Sequence, residues 1–161
     1  MNGRRGVAFW LASGLGSGLS PWAPGTVGSA VALVLGLGLL ALEPALLPLA
    51  AAIATIGGLW AVQATGATDD PDWIVIDEFA GQWIAMLPLA LLEPGAAWNP
   101  ASLALGFATF RLLDIAKPGP VGWADRQEGA AGVMADDVVA GLLAAGVVRA
   151  AQVVWPGLFA V

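Results

Sequence analysis

The chain has 161 residues, 58% of them hydrophobic and 11% charged, with a formal net charge of −6 and a mean hydropathy of +0.81. Soluble domains carry about 25% charged residues, so this is a membrane composition, and its acidic balance offers no basic face for a nucleic-acid partner. With no Cys and no His, disulfides, thiolate nucleophiles, imidazole bases and Cys or His metal sites are excluded, which leaves carboxylates, Arg, Lys, hydroxyls and oxygen-bound metals.

The first residues, MNGRRGVAFWLASGLGSGLSP, place Arg4 and Arg5 before an apolar stretch that is interrupted after residue 12. A secretory h-region needs about 7–15 apolar residues, so this segment is expected to stay in the mature protein. Residues 14–30, GLGSGLSPWAPGTVGSA, hold too much Gly, Ser and Pro for an ordinary spanning helix and read as an interfacial or re-entrant element. Ser20, Thr26 and the helix N-terminus that follows Pro24 are candidate phosphate contacts. No Gly-Lys-Ser/Thr follows, so this is not a Walker A loop, and such a stretch taken alone is more often a linker.

Five apolar segments follow, at 25–42, 45–68, 73–92, 99–115 and 134–155. A spanning helix needs about 20 apolar residues, within a range of ~17–25. The turns between them are marked by Glu43-Pro44, by DDPD at 69–72, by Glu93-Pro94, and by the polar stretch 116–135. The expected fold is a single all-α domain over residues 1–161. It is a polytopic integral membrane bundle of about five transmembrane helices, preceded by the interfacial or re-entrant segment. Threading these segments alternately across a bilayer puts ten of the twelve acidic residues on one side, with five of the six basic ones: Arg4, Arg5, Arg111, Lys117 and Arg126. The Lys and Arg excess marks that side as cytoplasmic.

Two segments carry paired carboxylates where they meet that side: Asp77 and Glu78 in IDEFAGQW, Asp136 and Asp137 in MADDVVAGLL. In each, an Asp precedes a Gly by four residues, Gly81 and Gly141, so carboxylate and Gly share a helix face and a second backbone can approach closely. Two such helices crossing would gather four carboxylates. A set without His or Cys selects a hard cation, Mg²⁺ first and Mn²⁺ or Ca²⁺ after it. The plainer reading puts the acids at helix N-termini, where the dipole favours them. In TFRLLDIAKPGP, Arg111, Asp114 and Lys117 recur every third residue, a stripe in which Asp114 steadies two cations that grip a phosphate. A snorkelled ion pair at a helix end is the simpler alternative. The run DDPD reads as an acidic turn. Gly36, Gly38, Gly57 and Gly58 suit helix packing within one chain or in a homo-oligomer.

Four motifs in order, GLGSGLSPWAPGTVGS, DPDWIVIDEFAG, FRLLDIAKPGPVGWADR and GVMADDVVAG, make residues 7 to 145 similar to the phosphatidylglycerophosphatase A family of bacterial inner-membrane lipid phosphatases. Gly119 and Val121 stand where bulkier residues are expected. The resemblance implies Mg²⁺-dependent removal of the terminal phosphate of phosphatidylglycerol phosphate, in phospholipid biosynthesis, with the site facing the cytoplasm. Asp77, Glu78, Asp136 and Asp137 match its acidic positions and are the expected metal-binding and catalytic residues, with Asp136 a ligand or general base. Arg111, Asp114, Lys117 and Asp125 match its third motif on the substrate side, and Arg126 is expected to meet the lipid headgroup. Direct attack by water and an aspartyl-phosphate intermediate both remain open. The competing readings are a small divalent-cation channel or carrier with the same carboxylate cluster, and a lipid phosphotransferase.

Overall fold

The computed structural model describes residues 6–67, 70–91 and 99–159. Arg4, Arg5, Asp69 and the turn at Glu93-Pro94 lie outside them. Every described element is helical. α1 (Val7–Ala12) and a 3-10 turn (Ser17–Leu19) precede α2 (Pro24–Leu42) and α3 (Leu46–Thr65). α4 (Ile76–Ala85) runs into a 3-10 stretch (Leu87–Leu91), and α5 (Pro100–Ala116), α6 (Pro120–Asp125), α7 (Gly129–Val154) and α8 (Pro156–Phe159) complete the chain.

The helix ends follow local chemistry. α2 begins with Pro24 in the first turn, where a missing N–H costs nothing. α3 stops at Gly66, whose φ of 75° is the left-handed closure that glycine accepts readily. Asn99 caps α5 by accepting from the N–H groups of Ala101 and Ser102 at 2.9 and 3.3 Å. α5 ends as Lys117 turns left-handed, with φ 46°, directly before Pro118.

α2, α3 and α7 are long and apolar enough to cross a membrane, with 19, 20 and 26 residues. The other two expected spans are shorter as helices. At about 1.5 Å per residue, α4, with 10 residues, covers about 15 Å and α5, with 17, about 26 Å, against a hydrocarbon core near 30 Å. Pro88 explains the first case. It donates no N–H, and its ring opposes the carbonyl of Ile84, so the α-helix gives way to a 3-10 stretch. α7 differs in the other direction, starting at Gly129 and not near 134, so Asp136 and Asp137 lie about two turns inside it.

α4 is the centre of the molecule, packed by α2, α3, α5 and α7. All of its residues except Trp83 are buried, and the Trp83 indole donates to the Ala32 carbonyl at 2.8 Å, tying α4 to α2. The glycine-rich N-terminal segment docks on the turn before α4. The Val75 N–H donates to the Ala12 carbonyl at 2.9 Å, and a Cβ on Gly18 would stand 2.2 Å from the Trp73 carbonyl oxygen. The outer faces carry exposed Val34, Ile53, Ile56, Leu142 and Val153, as suits contact with lipid. The two departures at the α5–α6 turn have structural causes: Gly119 adopts φ 46°, and Val121 is fully buried with Phe110, Ala140 and Ala144.

α4 and α7 meet backbone to backbone. A Cβ on Gly141 would lie 2.4 Å from the Gly81 carbonyl oxygen, and one on Gly81 would lie 2.7 Å from the Asp137 carbonyl oxygen. Gly141→Val must therefore push the α4 and α7 backbones apart, at a cost of roughly 3 kcal/mol or more, and the thermal midpoint in detergent is expected to fall by on the order of 10 °C. Gly146→Ala, on the same helix with no neighbour within 4 Å of the added carbon, is expected to leave the midpoint unchanged or raised. Equal midpoints for the two variants would show that the crossing is not a tight contact.

Candidate active site

The crossing at Gly81 and Gly141 brings α4 and α7 together where both carry carboxylates, and α5 closes the third side. Glu78, Asp114 and Asp137 each place one carboxylate oxygen within 4.8 Å of the others, and all three are buried. The Arg111 guanidinium donates to Glu78 Oε2 and lies 2.7 Å from Asp114 Oδ2 through the same nitrogen, Nη1. From α2, the hydroxyl of the fully buried Ser29 stands 2.8 Å from Glu78 Oε2. Asp137 Oδ2 and Arg111 Nε are buried with no hydrogen-bond partner.

The donor set fits a hard divalent cation. Three carboxylates face one guanidinium in a water-poor interior, an arrangement that is costly unless further positive charge joins it. All the available donor atoms are oxygens, as Mg²⁺, Mn²⁺ and Ca²⁺ prefer, and the orphaned Asp137 oxygen is free to ligate.

A second group of charges lies alongside. Lys117, at the C-terminal end of α5, donates to Asp125 of α6 and, at 2.7 Å, to Asp136 of α7. Burial pulls the Lys117 ammonium down, but its hydrogen bonds to Asp125 and Asp136 outweigh this and hold its pKa above the ordinary lysine value. Asp70, Asp125 and Asp136 line an open cleft of about 850 Å³ between the end of α3 and the start of α7. Asp70 still touches solvent, yet the cleft walls desolvate its carboxyl. That effect, reinforced by Asp136 and opposed by Lys117, pushes its pKa up to about 6.

Glu78 of the trio, with Arg111, also lines a pocket of about 330 Å³ between α2 and α5, together with Pro24, Gly25, Thr26 and Asp72, among others. The start of α2 has no side-chain cap, so its first N–H groups are available to an anion.

The sequence-expected residues therefore separate into two neighbouring groups. Glu78 and Asp137 meet in the trio, and Asp114, expected to steady the substrate-binding cations, is its third member. Asp136 pairs with Lys117. Asp77 Oδ1 accepts from the Glu78 N–H at 3.0 Å in the first turn of α4, and Asp77 is not part of the trio. Thr26 lines the pocket at the start of α2, whereas the Ser20 hydroxyl closes its own turn by donating to the Trp22 carbonyl at 2.8 Å. Arg126 is exposed beside Asp125. Sequence reasoning missed Ser29, hidden three residues after Thr26 in a mostly apolar helix, and Asp70, read as part of a turn. It also missed Gln82, one turn along α4 from Glu78, which is fully buried with both amide atoms unpartnered.

The family model described as Phosphatidylglycerophosphatase A matches residues 10–152. The chain is 38% identical over 150 residues to phosphatidylglycerophosphatase A of Escherichia coli (strain K12), covering 91% of this chain and 84% of that one. It is 38% identical over 147 residues to the Haemophilus influenzae protein of the same name, covering 88% and 86%. A Bacteroides thetaiotaomicron protein titled "Putative phosphatidylinositol-3-phosphatase" is 39% identical over 139 residues, covering 82% and 85%. No solved structure matches. The match takes in the helices that surround the carboxylate trio, and the chain belongs to the phosphatidylglycerophosphatase A family.

Proposed function

We infer that this chain is a Mg²⁺-dependent lipid phosphatase that hydrolyses the terminal phosphate monoester of phosphatidylglycerol phosphate to phosphatidylglycerol and inorganic phosphate. The observation that carries this reading is the buried trio of Glu78, Asp114 and Asp137, whose Glu78 lines, beside Arg111, a pocket at the uncapped start of α2. Two of the three relatives carry the matching name. The Lys and Arg distribution supports a site on the cytoplasmic side of a bacterial inner membrane, serving phospholipid synthesis.

Glu78, Asp114 and Asp137 would hold the divalent cation, which supplies charge neutralisation at the phosphoryl group and lowers the barrier to attack by water. The chain's own groups do the rest. Arg111 and the first N–H groups of α2 bind the phosphoryl oxygens and stabilise charge as it builds on them. Lys117, fixed by Asp125 and Asp136, supplies a second positive charge at the membrane edge. Ile115 of α5 lines the pocket and is exposed, as is Leu112 on the same helix, so acyl chains in the bilayer can lie against α5 while the phosphate reaches Arg111. In the net reaction an oxygen from water bonds to phosphorus, the bond from phosphorus to the glycerol oxygen breaks, and that oxygen leaves with a proton.

The direct test is phosphate release from phosphatidylglycerol phosphate in detergent micelles. The wild type is expected to release phosphate with Mg²⁺ and to stop with chelator, and Asp137→Asn, folded by thermal midpoint, to lose cation-dependent release. No release with any divalent metal sinks the reading and favours a cation carrier. Faster release from phosphatidylinositol 3-phosphate would keep the hydrolase and replace the substrate.

Arg111→Gln is expected to lower kcat/KM by roughly 10²–10³-fold, as for loss of a donor aimed at developing charge, with Arg111→Lys intermediate because a point charge replaces the fork. An Arg111→Gln variant with wild-type kcat/KM would remove Arg111 from the phosphate site.

A further inference from the structure

Glu78 is gripped from two helices besides its own. Its Oε2 accepts from Arg111 of α5 and lies 2.8 Å from Ser29 Oγ of α2. Ser29 is fully buried, and its hydroxyl also stands 2.9 Å from the Gly25 carbonyl and 3.4 Å from Arg111 Nη1. A hydroxyl has one proton to donate and two lone pairs with which to accept. Of its two candidate acceptors, the Glu78 carboxylate forms the stronger, charge-assisted bond, and the lone pairs are left for Arg111. One turn earlier on α2, Gly25 presents bare backbone to the other carboxylate oxygen. A Cβ there would lie 2.2 Å from Glu78 Oε1 and 3.3 Å from Arg111 Nη2. Arg111 alone does not define where Glu78 stands, because Nη1 is shared with Asp114.

We propose that Ser29 and Gly25 are positioning residues for Glu78: the hydroxyl holds one carboxylate oxygen, the missing side chain makes room for the other, and cation binding by the trio depends on that placement. The proposal rests on the reading of Glu78, Asp114 and Asp137 as a cation site. It extends that site to α2, a helix that supplies no ligand of its own, and it explains a polar residue buried in an otherwise apolar segment. Groups that orient metal ligands are commonly worth 10–100-fold in affinity or activity. A serine serving only its own helix would instead bond the carbonyl four residues back, and that role does not involve Glu78.

The test uses the full chain in detergent and reads Mn²⁺ uptake from the electron paramagnetic resonance of the free ion. Ser29→Ala and Gly25→Ala are expected to raise the Mn²⁺ dissociation constant by roughly 10–100-fold, and Ser29→Thr, which keeps the hydroxyl, to recover most of that loss. Thermal midpoints in chelator, measured for Ser29→Ala, Glu78→Gln and the double variant, are expected to be non-additive, since both substitutions remove the same contact. Unchanged Mn²⁺ affinity in Ser29→Ala, additive midpoints, or a folded wild type that takes up no Mn²⁺ each overturns the proposal. If Ser29→Ala fails to fold, Gly25→Ala and Ser29→Thr decide by the same readout. Phosphate release measured in parallel separates the two claims. Coupled Mn²⁺ uptake without release supports the positioning role and overturns the hydrolase reading, and release without coupling does the reverse.

Discussion

Backbone contact between α4 and α7 at Gly81 and Gly141 sets the geometry of everything around it. Within a bilayer, burial of apolar surface gives helices little reason to associate, and close packing through small residues takes its place. Here the approach is so close that the Gly81 carbonyl occupies the space a side chain on residue 141 would need. Each glycine lies four residues after an acid, Asp77 and Asp137, so the same contact that locks the helices together draws their charged ends into one region. α4 can be short because it is enclosed: with four helices around it, nearly every side chain it carries is buried.

That enclosure has an electrostatic consequence. Two like charges 4.8 Å apart, in surroundings with an effective dielectric near 20, repel by about 3 kcal/mol. Glu78, Asp114 and Asp137 form three such pairs, and of these three carboxylates Arg111 pairs with Glu78 and Asp114. The cluster is therefore not self-sufficient as a structural salt bridge. A packing role would be served better by apolar residues of similar size, whereas a site that must bind a cation and then an anion needs this imbalance.

Much of this was legible in the sequence because membrane helices are punctuated so sharply. Glu43-Pro44 marks the end of α2 and Asp70-Pro71 follows the end of α3, and the Asp-x-x-Ala-Gly repeats announce a crossing of two acid-bearing segments. What could not be read was direction around each helix. Glu78 and Asp77 are neighbours in sequence but 100° apart on α4, so one joins Arg111 while the other turns toward its own backbone. Asp114 looked like a bridge between two cations because residues three apart share a face, and it does pair with Arg111, but its other charged neighbours are the carboxylates of Glu78 and Asp137, brought from α4 and α7. Lys117 is lost to that stripe because Pro118 forces the chain out of the helix, and its side chain reaches Asp125 and Asp136. Pro88 was visible, but its effect of cutting α4 to 10 residues depends on whether tertiary packing rescues the broken turn.

The division of labour between the two cations follows from their chemistry. Arg111 is the more deeply placed, with its side chain 13% exposed against 31% for Lys117. A guanidinium is weakly hydrated and stays charged, so it tolerates that depth while serving two carboxylates at once. An ammonium loses more hydration on burial, and Lys117 keeps its place where water still reaches it, compensated by Asp125 and Asp136. The uncapped start of α2 adds a third source of positive potential that carries no side-chain entropy and no hydration shell of its own. It faces Glu78 across Gly25, so the same backbone dipole that can receive a phosphate also eases the burial of the carboxylate beside it. An anion-binding terminus and an acidic cluster usually oppose each other. In this fold, a helix end that meets carboxylate on one side and open pocket on the other lets both occupy a single site.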